Sequence, residues 1–102
     1  MTKVYAEFEG GRCLLNLEGH ATGSPEVCAA VSGIVYALAG YVTNAERDGH
    51  AEIYSMRMDS GRALLHFHGD DRVCGACEMA FVGLMQIEKQ HPEHIKVNFA
   101  PD

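Results

Sequence analysis

Ser24-Pro25-Glu26-Val27-Cys28-Ala29-Ala30-Val31-Ser32-Gly33-Ile34-Val35-Tyr36-Ala37-Leu38-Ala39-Gly40-Tyr41-Val42 is the stretch around which the rest of this chain is organised. It opens with a helix start. Ser24 offers a side-chain acceptor to the first unpaired N–H groups, Pro25 has no N–H to lose at the first helical position, and Glu26 is an acid at the positive end of the helix dipole. Val27, Val31, Ile34, Val35, Leu38 and Val42 then recur at helical spacing as one apolar stripe, until Asp48-Gly49 breaks the pattern. From Val27 to Val42 no residue is charged. A membrane span needs about 20 uninterrupted apolar residues, and Ser32, Gly33 and Gly40 interrupt this run, so it reads as a buried helix of a soluble protein.

Strand patterns flank it on both sides. Val4, Ala6 and Phe8 alternate with Tyr5, Glu7 and Glu9; Gly10-Gly11 makes a two-residue turn; Cys13, Leu15 and Leu17 resume the alternation as the second arm of a hairpin. Downstream, residues Glu52–Met58, a Ser60-Gly61 turn and Ala63–His68 predict a second hairpin. Gly69-Asp70-Asp71 opens another helix, with Cys74, Cys77, Phe81, Leu84 and Met85 on its apolar face, and His91-Pro92 ends it. Ile95, Val97 and Phe99 alternate as a last strand. The order ββαββαβ predicts an α+β fold, two helices packed on a mixed, mainly antiparallel sheet. With no repeat, linker or Pro/Ser-rich boundary, residues 1–102 read as a single domain. Opposite its large-residue stripe the first helix carries Ala29, Ser32, Gly33, Tyr36 and Gly40, small or uncharged. A helix apolar on its whole circumference wants cover on both sides, which predicts a homodimer with a second copy on that face.

Composition excludes several classes. With 47% hydrophobic and 22% charged residues the chain is neither disordered nor low-complexity. Its net charge of −6 and lack of any Lys/Arg run argue against nucleic acid and against an anionic membrane as partners. Met-Thr-Lys-Val-Tyr-Ala-Glu has no apolar core of signal-peptide length, so a cytoplasmic location is expected, with Cys13, Cys28, Cys74 and Cys77 as reduced thiols.

Chemistry concentrates around Gly19-His20-Ala21 and Cys28, eight residues beyond His20. His20 falls on the loop that enters the helix and Cys28 in or just after its first turn, on the border of the apolar stripe. There a thiol feels the positive end of the dipole and nearby unpaired N–H groups, which favour thiolate and would also hold an oxyanion during acyl transfer. An imidazole nearby completes a Cys/His pair, base toward the thiol and acid toward the leaving amine. The bland alternatives are a small core cysteine and a loop histidine. Cys74-Gly75-Ala76-Cys77 spells the dithiol oxidoreductase motif, but both thiols share the stripe of Phe81 and Leu84 and read as core, as does Cys13; one pair cannot complete a four-ligand zinc site. His66-x-His68 puts two imidazoles on one strand face with no obvious third ligand.

Gly19-His20-Ala21 and Val27-Cys28-Ala29-Ala30-Val31-Ser32, in this order before a buried helix, resemble the ribosomal-processing cysteine protease family of bacteria, and Phe81-Val82-Gly83-Leu84 through His91-Pro92-Glu93-His94-Ile95-Lys96-Val97 resembles that family's second helix and closing strand. The resemblance implies a Cys28 nucleophile, a His20 base and a dimer of small subunits. It also implies removal of a short N-terminal extension from a large-subunit ribosomal protein, or from a virion protein in phage-borne relatives, with no metal or organic cofactor. Ser32 matches a serine typical of the family. The chain departs from the pattern at Pro25, where the family usually has an acid, leaving Glu26 to substitute from about 100° further round the helix; Glu26 is otherwise a first-turn acid. The loop from His20 to Cys28 is also shorter than usual. A non-catalytic dimeric peptide-binding module of the same fold is the alternative.

Overall fold

The structure, a computed structural model, describes residues 1–19 and 24–100. Seven elements follow in the expected order: β1 (Thr2–Glu9), β2 (Arg12–Glu18), α1 (Pro25–Arg47), β3 (Ala51–Asp59), β4 (Arg62–Gly69), α2 (Asp71–Gln90) and β5 (Ile95–Ala100). The local signals act as their chemistry requires. Gly10 and Gly11 turn the first hairpin at φ +57° and +82°. Ser24 caps α1 by accepting from the Val27 N–H at 3.4 Å, with Pro25 in the first turn. Asp70 caps α2 by accepting from the N–H groups of Arg72 (3.1 Å) and Val73 (3.2 Å). His91 is the C-cap of α2, one residue ahead of Pro92.

The five strands form one sheet in the order β3-β4-β2-β1-β5, antiparallel except for the parallel pair β1/β5. Register sorts the inward side chains into rows. Met56, Leu65, Leu15, Ala6 and Phe99 align across all five strands, and Met58, Ala63, Leu17, Val4 and Val97 form the next row. Both helices cover this face. α1 buries Val27, Val31, Val35, Leu38, Ala39, Val42 and Ala45, while α2 buries Val73, Cys77, Ala80, Phe81 and Leu84. Phe81 stands edge-on to Phe8 and Phe99. By length and composition α1 is apolar enough to cross a membrane; its large-residue stripe lies on the sheet instead.

Three details depart from the sequence reading. Met85 faces outward, and Val73 takes the place at the buried seam that Cys74 was expected to hold, because the face of α2 meeting the sheet is rotated toward Val73, Cys77, Ala80 and Leu84. Ile34 is only half-buried; it reaches sideways to α2, where a Cβ on Gly83 would come within 2.8 Å of its Cδ1. In β3 the alternation slips by one residue between Ile53 and Ser55, so that Ile53 pairs with Phe67 and Ser55 with His66. This bulge at Tyr54 keeps both Ile53 and Met56 on the helix side of the sheet.

Candidate active site

Ser24 places Cys28. Its carbonyl accepts the Cys28 N–H at 3.2 Å while its hydroxyl accepts from Val27, so the thiol rises from the opening turn of α1 at a fixed angle. One side of Cys28 touches the core and the other borders a cavity of about 440 Å³. The cavity lies between α1 and one end of the sheet. Cys28, Ser32 and Tyr36, one helical turn apart, form its upper wall. Leu17 and Gly19 at the end of β2 form its floor, and the turn of the second hairpin, from Met58 to Ala63, forms its far wall. A Glu18–Arg62 ion pair at 3.6 Å joins β2 to β4 beside it.

Gly19 ends β2 under tight constraint. It donates to the carbonyl of Gly61 at 2.8 Å, has φ +88°, and a Cβ there would stand 2.5 Å from the Met1 carbonyl oxygen. Only glycine fits such a position without displacing backbone. His20, the expected base, lies outside the described residues, together with Ala21, Thr22 and Gly23. Ser32 stands on the same wall as Cys28. Glu26 is exposed and is not among the residues that line the cavity. The supply of first-turn donors is narrower than the sequence implies. Pro25 has none, the N–H groups of Val27 and Cys28 are taken by Ser24, and Glu26 keeps the one that no described residue accepts.

The other cysteines sit in different surroundings, and all four are free thiols. Cys77 is buried, and the neighbouring Cys13 side chain, followed by burial itself, pushes its thiol far up from the ordinary cysteine value. Cys74 is half-buried, with its Sγ 3.8 Å from the Gly69 carbonyl, and desolvation, followed by the charges of its neighbours, raises its thiol too. Thiol exchange needs thiolate, which both shifts disfavour; Cys77 lies in the core as expected, while Cys74 stands at its border. His66 stands with its ring 5.0 Å from that of Tyr54 and its Nε2 3.3 Å from Arg12 Nη1, on the sheet face away from the helices; His68 is exposed. What sequence reasoning missed is the far wall of the cavity. Met58 through Ala63 enter it by long-range strand pairing, for which a local pattern gives no signal.

The family model for cysteine protease Prp matches residues 1–96. The chain belongs to that family. It is a cysteine protease by that membership. Among solved structures it is similar to an essential ribosomal processing protease Prp of S. aureus bound to a covalently linked product peptide. The two share 20% identity and a TM-score of 0.72, over 97% of this chain and 99% of that one. The same S. aureus protease with a substrate peptide gives 19% identity and 0.69, over 97% and 99%. A Streptococcus mutans protein gives 24% identity and 0.71, over 97% and 93%. At these identities the likeness speaks for the fold. None of the curated proteins matches the chain.

Proposed function

We propose that the chain is an endopeptidase in which Cys28 is the nucleophile and His20 the general base, and that it removes a short N-terminal extension from a large-subunit ribosomal protein, or from a phage structural protein. The observation that carries this reading is the placement of one thiol. Cys28 and Cys74 both follow the opening turn of a helix, but of the four cysteines Cys28 alone lines this open cavity, with Ser32 beside it. In the reaction His20 takes the thiol proton and the thiolate attacks the scissile carbonyl. The C–N bond breaks as the leaving amine receives that proton, and water then hydrolyses the thioester to free the acid and restore the thiol. The S. aureus protease structures that hold a product and a substrate peptide support a peptide as the partner.

Two wider features belong to the same proposal. Ala29, Ser32, Gly33, Tyr36 and Gly40 are all exposed on α1, Tyr36 by 63%, and such an uncharged face supports a homodimer. Four free thiols suit a bacterial cytoplasm.

Iodoacetamide is expected to label Cys28 at least ~10-fold faster than Cys13, Cys74 or Cys77 near neutral pH, and His20→Ala to slow that labelling. Incubation with a panel of N-terminally extended ribosomal and capsid peptides, read by mass, should give one cut that Cys28→Ser abolishes while leaving binding intact. Full cleavage by Cys28→Ala would falsify the assignment. Pro25 in place of the family's usual acid, with Glu26 not among the residues that line the cavity, favours the second reading, a non-catalytic dimeric peptide-binding module; uniformly slow thiols together with peptide binding and no cleavage would support it.

A further inference from the structure

β3 is an edge strand, and its outer backbone groups are treated unequally. At Ile53 the N–H donates to the Glu46 carboxylate of α1 at 2.7 Å, so that part of the edge is closed by a helix side chain. In an antiparallel ladder successive residues turn their N–H and C=O alternately toward and away from the partner strand. Counting from Ile53 and allowing for the bulge at Tyr54, the outward residues that follow are Met56 and Met58. The two-residue turn agrees, since it makes Asp59 and Arg62 the inward closing pair. Among the described residues none accepts from the N–H of Met56 or Met58. This open stretch runs into the cavity, where Met58 and Asp59 line the wall opposite Cys28.

We propose that the edge of β3 from Met56 to Asp59 is the docking rail of the protease: an extended segment of the substrate adds to it as a sixth strand and is thereby delivered to Cys28. The inference rests on the endopeptidase reading and names how that site would hold its peptide. Strand addition suits a substrate recognised as backbone, because main-chain hydrogen bonds supply affinity whatever the side chains, while the adjoining cavity supplies selectivity. The open stretch is short, about 10 Å at the rise of an extended chain. Glu46 at one end and the bulge at Tyr54 stop a long strand from pairing there, which favours a few residues of a flexible extension over the edge of a second folded copy.

The test uses the full chain and a synthetic probe, acetyl-Ala-Val-Ala-Val-Ala chloromethyl ketone. The Cys28 sulfur displaces chloride from the probe to form a thioether, so the peptide is anchored at the site whether or not the chain turns over substrate. Amide exchange is then followed by NMR in the free protein and the adduct, with the attachment site checked by mass. The amides of Met56 and Met58 should exchange at least ~10-fold more slowly in the adduct, and an adduct of the fully N-methylated peptide should give no such slowing. Unchanged exchange at both amides in the unmethylated adduct overturns the proposal. The two readings fail separately: a chain that cleaves peptides without protecting this edge refutes the rail alone, and a protected edge in a chain that cleaves nothing refutes the protease alone.

Discussion

At Gly69 the last residue of β4 meets a side chain from the first turn of α2: a Cβ there would overlap Val73, which is itself buried. Gly69→Ala should therefore cost ~1–3 kcal/mol through forced displacement of the helix start, read as a lower urea midpoint at unchanged slope. Nothing in the sequence separates this glycine from one that merely ends a strand, because the approach depends on how α2 lies on the sheet. Cys28 is the opposite case. Serine, proline and glutamate ahead of it set the helix start, and helical periodicity then puts its thiol at the border between core and surface, where the structure has it. No periodicity fixes its distance from His20, which lies outside the described residues.

The elements carry their own tests. Removing the α1 cap by Ser24→Ala should cost about 1 kcal/mol, since the hydroxyl that accepts from Val27 is lost while the Ser24 carbonyl still accepts the Cys28 N–H. The same variant is expected to slow iodoacetamide labelling of Cys28 by less than His20→Ala does. At the start of α2, the backbone N–H of Val73, then the charges of His50 and Arg72, hold the Asp70 carboxyl below its ordinary value, with His50 Nδ1 2.9 Å away. A carboxyl depressed on folding stabilises the native state above its unfolded value, and that contribution disappears as pH falls through the folded one. Urea midpoints should accordingly drop between pH 5 and more acid solution, and Asp70→Asn should lessen the drop. Both caps and all seven elements were legible in the sequence, since each is written in residues within a few positions of one another. The bulge at Tyr54 was not. Glu52–Met58 reads as a plain strand, and the slip appears only when Phe67 and His66 claim their partners across the ladder.

For the molecule as a whole, the sheet's two borders are the exposed liability. Each is guarded the same way: Glu46 of α1 accepts the Ile53 N–H of β3, and Glu88 of α2 accepts the Val97 N–H of β5, both at 2.7 Å. An unpaired edge N–H is a template for another chain, and a carboxylate placed over it both satisfies the donor and repels a like surface. Glu46→Ala with Glu88→Ala should speed exchange of the Ile53 and Val97 amides by ~10-fold and raise light scattering with concentration. Unchanged exchange at both amides would show that the guards are incidental. Strand order, unlike element order, could not be foreseen, because either hairpin could have taken the centre of the sheet by local pattern alone.

The one parallel pairing sets the order of assembly. Thr2–Glu9 lies against Ile95–Ala100, so the first strand of the sheet keeps its flank bare until the last one arrives. A nascent chain can close both hairpins and lay α1 over them, yet Val4 and Ala6 find the last of their neighbours only when Val97 and Phe99 have been made. Closure of the sheet thus waits for the strand that follows α2, and a product cut before Ile95 would carry a bare border along β1.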